Sequence, residues 1–364
     1  MSRKLDRQIE KYLARKKQRR HRRRAFRAVR EMRAGGVYTK LSKEQENEVQ
    51  EFWMQHFGRH ISLKWHEYYL RVNGEFSPKY LPVDMKEIYI EPKLKNVRMA
   101  PIYSDKNMVE TLVGDYVKLP KSYVKNMNGI YYVGDRVVTK QEAMEACRNM
   151  EDAVVKHTLD SSQGKSILRF RSENGAVSGK NCPATIEELF DYYGSNFVVQ
   201  EAIRQSEKMA ELNPTSLNTV RIMTYWSKND GIVPLFAVVR MGRAGAVVDN
   251  ASVGGMYCGV NADGSLKEYA YTLTPFSAHT TTDSGVVLKD FVIPKFEQLK
   301  AKAIELHSHL PYTKLIGWDL CVDAEDEIEL VEINAANPGM FQAATGPAFG
   351  DYTEEILELC RDSK

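Results

Sequence analysis

The stretch "IGWDLCVDAEDEIELVEINAANPGM" (316–340) sets two apolar runs on either side of an acidic, turn-like segment. "IGWDLCV" (316–322) reads as a strand and "IELVEIN" (328–334) as its return, since β-branched and large apolar residues dominate both. Each run carries residues that a buried strand seldom tolerates: Asp319 in the first, Glu332 and Asn334 in the second. With a four-residue loop at 324–327, Asp319 falls opposite Glu332, their Cβ atoms about 5 Å apart. Asn334, two residues on, shares that face and lies diagonal to Asp319. A five-residue loop would break this register. Facing carboxylates repel unless a cation or a proton sits between them. Asp, Glu and Asn oxygens directed at one point suit Mg²⁺, a hard cation that shares itself with phosphates. An edge hairpin with one wet face is the bland reading. Gly317, Trp318, Leu320, Leu330, Val331 and Ile333 argue instead that both faces are covered, which favours the metal site.

Upstream segments supply positive charge. "AVVKHTLDSSQGKSILRF" (153–170) reads as strand, Ser/Gly-rich turn, strand. Gly164-Lys165-Ser166 is not a P-loop, because Leu159 stands where that motif needs glycine and no helix follows. Such a loop can still cover phosphates with backbone N–H groups. Lys156, alone in an apolar strand, calls for a partner such as an anionic ligand. "NFVVQEAI" (196–203) is a second apolar strand, ending in Gln200-Glu201. "LNTVRIMTYW" (217–226) sets Arg221 among apolar neighbours, a residue suited to bidentate grip on phosphate or carboxylate. "VVDNASVGGMYCGV" (247–260) pairs Gly254-Gly255 with Asp249, Asn250 and Ser252, consistent with close backbone approach to a ligand. "SDKNMVETLVG" (104–114) reads as a capped amphipathic helix.

The chain has 364 residues, 43% hydrophobic and 27% charged, enough for two or three packed lobes. No apolar run approaches the roughly 18 residues of a membrane span, and no N-terminal segment resembles a secretion signal. The five cysteines are scattered and lack CxxC spacing, which fits a reducing cytoplasm and argues against a zinc site. Net charge is +3, yet residues 1–33 hold 15 Lys/Arg against Asp6, Glu10 and Glu31, leaving −9 for the remainder. That basic arm reads as a helix with a narrow apolar stripe (Ala25, Phe26, Ala28, Val29, Met32), ended by Gly35-Gly36. A solvated tail is one reading; attraction to an anionic membrane surface is the other. Phe26 alone does not support a base-stacking role, so nucleic acid is disfavoured as a partner. Residues 41–71 read as aromatic-rich helices interrupted at Gly58, 82–103 as irregular and Pro-punctuated, and the chain from about 128 as short strands alternating with helices.

In this order, "SDK", Lys156 before a Ser/Gly loop, Gln200-Glu201, "LNTVRI", "DNASVGG", "IGWDL" and "VEINAANPGM" resemble the ATP-grasp superfamily over residues 100–345. The likeness is greatest to its sugar-transfer-associated branch. The resemblance implies an α+β fold whose two lobes grip ATP: a small lobe at about 115–200 and a C-terminal lobe at about 201–350. These lie within a core at 101–350, preceded by an arm (1–36) and a helical region (37–100), with a C-terminal helix at 351–364. It further implies that Lys106 and Lys156 hold phosphates and that the loop with Ser161, Ser162, Gly164 and Lys165 covers them. This loop has a single glycine where the family's carries several. Gln200, Glu201 and Ile203 would form the adenine hinge, Asn218 would assist, and Asp319, Glu332 and Asn334 would ligate Mg²⁺. Arg221, with Lys156, would stabilise charge on the transferred group; His279 and Arg240 are lesser candidates. The implied activity is ATP- and Mg²⁺-dependent carboxylate–amine ligation through an acyl phosphate, on a sugar-linked or amino-acid substrate in surface-polysaccharide synthesis. A kinase acting on a hydroxyl would need a general base that the sequence does not reveal. A non-catalytic nucleic-acid binder led by the arm would leave Asp319, Glu332 and Asn334 unexplained.

Overall fold

A computed structural model of the chain describes residues 3–159, 167–246, 249, 254–273 and 276–361, without the side chains of 3–15, 17 and 18. The chain divides into two compact units, Met1–Asn96 with Met340–Lys364, and Val97–Gly339.

The first unit is helical. Helix α1 (Arg3–Ala34) ends where Gly36 takes φ +74°, and Val37 N–H bonds back to Met32 O at 2.8 Å. Ala25 and Val29, one turn apart, are its buried residues, while His21 pairs with Glu87 at 2.7 Å and Arg33 with Glu67. The second half of the arm is therefore a docked helix and not a loose tail. Helix α2 (Lys43–His56) starts at a reciprocal cap between Ser42 and Gln45. Helix α3 (Lys64–Asn73) follows the break at Gly58 and buries Trp65, Tyr68 and Tyr69. Residues 82–103 are not irregular. Short helical turns at Val83–Met85 and Glu91–Leu94, and at Ala100–Tyr103 in the second unit, begin at or beside Pro82, Pro92 and Pro101, where a missing N–H costs nothing.

The second unit holds two antiparallel seven-stranded sheets among helices, an α+β fold. The first sheet is built from β1 (Ser122–Met127), β2 (Ile130–Val133), β3 (Arg136–Val138), β4 (Met150–His157), β5 (Ile167–Glu173), β6 (Ala176–Ser178) and β7 (Phe197–Glu201). Their spatial order is β3-β2-β1-β7-β4-β5-β6. The second contains β8 (Thr219–Ser227), β9 (Gly231–Met241), β10 (Met256–Val260), β11 (Leu266–Leu273), β12 (Phe276–His279), β13 (Leu315–Val322) and β14 (Ile328–Asn334). It runs β12-β11-β10-β9-β8-β13-β14, with helix Phe296–Ser308 contributing Leu299, Ala303 and Leu306 to its core.

The hairpin β13–β14 corrects the sequence reading in an instructive way. Its loop has five residues, 323–327, with Asp323 N–H bonded to Glu327 O at 2.9 Å and Asp326 at φ +63°. Val322 thus opposes Ile328 and Leu320 opposes Leu330. A bulge at Val331 then takes up one residue, so Asp319 still opposes Glu332 and Gly317 opposes Asn334. The expected register near the site is reached by a different loop plus a bulge.

Candidate active site

Strand β13 lies between β8 and β14, which puts Arg221 across from Asp319 on one side and Glu332 on the other. Asp319 is buried and grips Arg221 bidentately, Oδ1 taking Nε at 2.6 Å and Oδ2 taking Nη2 at 2.5 Å. Arg240 Nη1 donates to Oδ2 at 2.8 Å, and Asn334 Nδ2 reaches it at 3.3 Å. Lys106 Nζ sits 3.0 Å from Glu332. The cations that facing carboxylates demand are thus two guanidiniums and an ammonium, so charge pairing by itself does not require a metal. Glu332 is pushed up by burial, but Lys106 and Arg221 outweigh this and hold its carboxyl down at about 2.

Gly317 makes room for this packing. A Cβ there would lie 3.0 Å from Pro338 O, 3.5 Å from Asn334 Cβ and 3.6 Å from the Arg221 stem.

"SDKN" is not the start of a long helix; only Val109–Val113 is helical. Ser104 Oγ instead accepts from Ala335 and Ala336 N–H at 3.1 and 3.0 Å, immediately after Asn334. Asp105 Oδ1 accepts from Asn107 N–H at 3.0 Å, and buried Asn107 donates to Asn126 O at 3.0 Å and Thr158 Oγ1 at 3.3 Å. The segment carrying Lys106 is therefore pinned to the end of β14 and to the first sheet.

Lys156 on β4 is buried, and that desolvation, aided by the nearby Lys106 charge, lowers its ammonium to about 8. Lys106, Lys156, Gln200, Ser122, Leu330 and Val331 help line a cavity of about 390 Å³. Gln200 donates from Nε2 to Ser122 Oγ at 3.2 Å, while its buried Oε1 has no partner among the described residues, an acceptor suited to an amino group on a bound ring. Glu201 is exposed and Ile203 half-buried at the strand's end. Ser161, Ser162, Gly164 and Lys165 lie outside the described residues.

Asn218 is fully buried, its Nδ2 within hydrogen-bond reach of Gln205 Oε1 (3.0 Å), Met209 O (2.8 Å) and Asn213 O (2.8 Å), so it organises a loop, and its Oδ1 has no partner among the described residues. His279 sits on β12, five strand positions from β13, with Nε2 at 2.8 Å from Ser277 Oγ.

The structure also places Arg240 and Asp249 and adds Glu329. Arg240 bridges Asp319 to Asp249, 3.1 Å away, and Thr219 Oγ1 donates to Asp249. Burial raises the Asp249 carboxyl, with Asp319 reinforcing the shift against Arg240. Glu329 opposes Cys321, two positions from Asp319, so it shares the site face; burial lifts it to about 7. A strict two-residue period puts Glu329 on the opposite face from Glu332, and only the Val331 bulge brings them together.

The donor chemistry fits Mg²⁺. Glu332 is ionised and partly exposed, and Asn334 offers a carbonyl oxygen when its amide rotates. Among the described contacts, Asp319 Oδ1 receives one donor and Oδ2 three, leaving lone-pair capacity on Oδ1.

The ordered motifs and paired sheets have the architecture of an ATP-grasp protein. Residues 85–356 match the family described as "Sugar-transfer associated ATP-grasp", and the chain belongs to that family. Solved structures to which the chain is similar include the VanG D-Ala:D-Ser ligase of Enterococcus faecalis. It is 13% identical with TM-score 0.41, covering 71% of this chain and 61% of that one. The N5-carboxyaminoimidazole synthetase of Staphylococcus aureus is 10% identical with TM-score 0.37, covering 72% and 53%. The ATP-grasp ligase PsnB with a minimal precursor is 10% identical with TM-score 0.37, covering 73% and 62%. This chain thus spans roughly half to three-fifths of those proteins' lengths, and likeness at this level carries no argument about activity. No curated protein matches.

Proposed function

We propose that this protein is an ATP- and Mg²⁺-dependent carboxylate–amine ligase acting on a sugar-linked or amino-acid substrate in surface-polysaccharide synthesis. Membership of an ATP-grasp family supports nucleotide-dependent ligase-type chemistry. The observation that carries the reading is the convergence of Asp319, Glu332 and Asn334 with Lys106 and Lys156 beside a cavity that Lys106, Lys156 and Gln200 help line. Lys156 and Lys106 would hold nucleotide phosphates, and the Gln200 strand end would read the base. Glu332, Asn334 and Asp319 Oδ1 would hold Mg²⁺, which supplies charge neutralisation at the phosphates. Arg221 and Arg240, fixed against Asp319, present cationic density without further reorganisation as charge develops on the group in transfer. The substrate carboxylate attacks the γ-phosphorus and ADP leaves; the amine then attacks the acyl carbon and phosphate leaves. No nucleophilic side chain is required, so position and electrostatics carry the catalysis.

A second reading, phosphoryl transfer to a hydroxyl, gains one specific observation. Asp249, raised above ordinary carboxylates and linked through Arg240 to Asp319, is the base that the sequence did not reveal. ATP turnover, followed separately as ADP and AMP against pooled amino acids and uronic acids with Mg²⁺, discriminates. ADP formed only when an acid and an amine are both present, and lost in Glu332→Gln, supports the ligase. ADP formed with a hydroxyl acceptor and no amine, lost in Asp249→Asn, selects the kinase. Failure of ATP to bind rejects both.

A further inference from the structure

The catalytic reading leaves helix α1 unused, and its geometry carries a separate inference. Ala25 and Val29 face the first unit and fix which side of the helix is covered. At 100° per residue, the line opposite them runs through Lys16, Arg20, Arg23, Arg27 and Arg30, spaced i, i+4, i+7, i+11 and i+14. All five are exposed, as are Arg19 and Arg24 alongside them; Glu31, which pairs with Arg27 at 2.8 Å, is the one acidic residue on this arc. The result is a straight basic ridge of about 21 Å with a cation at each turn.

We propose that this ridge docks the protein on an anionic lipid surface. A docked helix offers one side only, and a plane touches one side only. A helix reading a major groove is instead surrounded by groove walls over much of its circumference. Over residues 16–30 the exposed arc carries no aromatic residue on which bases could stack; Phe26 is half-buried. Over the same residues it carries no large apolar residue either, so attachment through this ridge is electrostatic, reversible and salt-sensitive.

The test uses the full-length protein, co-sedimented with vesicles of phosphatidylcholine alone or with about one-third phosphatidylglycerol, at about 0.05, 0.15 and 0.5 M NaCl. Wild type is expected to bind only the anionic vesicles and to release as salt rises. The variant Arg20→Gln/Arg23→Gln/Arg27→Gln is expected to lose binding at least about tenfold with an unchanged melting temperature. Arg136→Gln/Arg171→Gln/Lys180→Gln, which removes the same charge from exposed sites elsewhere, is expected to bind as wild type does. The proposal is overturned if wild type ignores anionic vesicles at the lowest salt, or if both triple variants lose binding equally. It is also overturned if a short DNA duplex binds about tenfold more tightly than the vesicles at 0.15 M salt. None of these outcomes depends on the ligase reading.

Discussion

Replacing Lys156 with methionine should make the nucleotide-free protein more stable while weakening its hold on ATP. Burial on β4, with Lys106 nearby, lowers the ammonium from 10.5 to about 8. At about 1.4 kcal/mol per pH unit, keeping this group charged in the folded protein costs about 3 kcal/mol at pH 7. The sign follows from proton counting. Below pH 8 the lysine is protonated in both states and the full penalty stands. Between pH 8 and 10.5 the unfolded chain binds more protons than the folded one, so wild-type stability rises with pH. Lys156→Met fills a similar volume, removes the penalty and abolishes that rise. Urea denaturation at pH 7 and pH 9.5 reads both effects: the variant leads by up to about 3 kcal/mol at pH 7, and its lead shrinks at pH 9.5. Nucleotide titration on the same samples should show at least about a hundredfold weaker ATP binding, the loss of one buried charge-assisted contact. A variant less stable than wild type at pH 7, or a gap that ignores pH, would refute the reasoning.

Asp319→Asn strands Arg221 and Arg240 in a buried setting, and should cost about 3–5 kcal/mol by denaturation as well as Mg²⁺-dependent ATP binding. Retained Mg²⁺-dependent binding well below the melting point would reduce Asp319 to a structural ion pair. Glu329, lifted by burial from 4.5 to about 7, binds more protons folded than unfolded in that interval, so wild-type stability falls as pH rises through it. Glu329→Gln should flatten that slope, a difference of about 3 kcal/mol above pH 7, seen as a rise in the urea midpoint. Ser104→Ala removes the acceptor for two backbone N–H groups after Asn334 and should cost about 1–3 kcal/mol. Because those bonds pin the turn beside Lys106, the KM for ATP should rise more than kcat falls.

Strand and hairpin positions around Lys156, Gln200, Arg221 and Asp319 were legible in the sequence because apolar periodicity and turn residues are local signals. So was the juxtaposition of Asp319 with Glu332, although the loop was read one residue short. What holds the site was not legible. Arg240, paired with Asp249, reaches Asp319 across three strands, and no local pattern reports which guanidinium a carboxylate will find. The buried loop contacts of the Asn218 amide were not legible either, since the backbone carbonyls it meets at Met209 and Asn213 are placed by the fold and not by a local pattern. The prolines of 82–103 read as breaks, yet they start helical turns, since helix initiation tolerates the missing N–H.

By itself the sequence determined the alternation of short strands with helices and the charge divided between arm and body, which follow from residue type and spacing, while the α+β class came with the resemblance that the ordered motifs carry. Only the tertiary structure decided the rest. A single bulge at Val331 puts Glu329 and Glu332 on one face, because adding one residue to a two-residue period reverses every side chain beyond it. Burial then separates their chemistry, leaving Glu332 ionised against Lys106 and Arg221 while desolvation lifts Glu329.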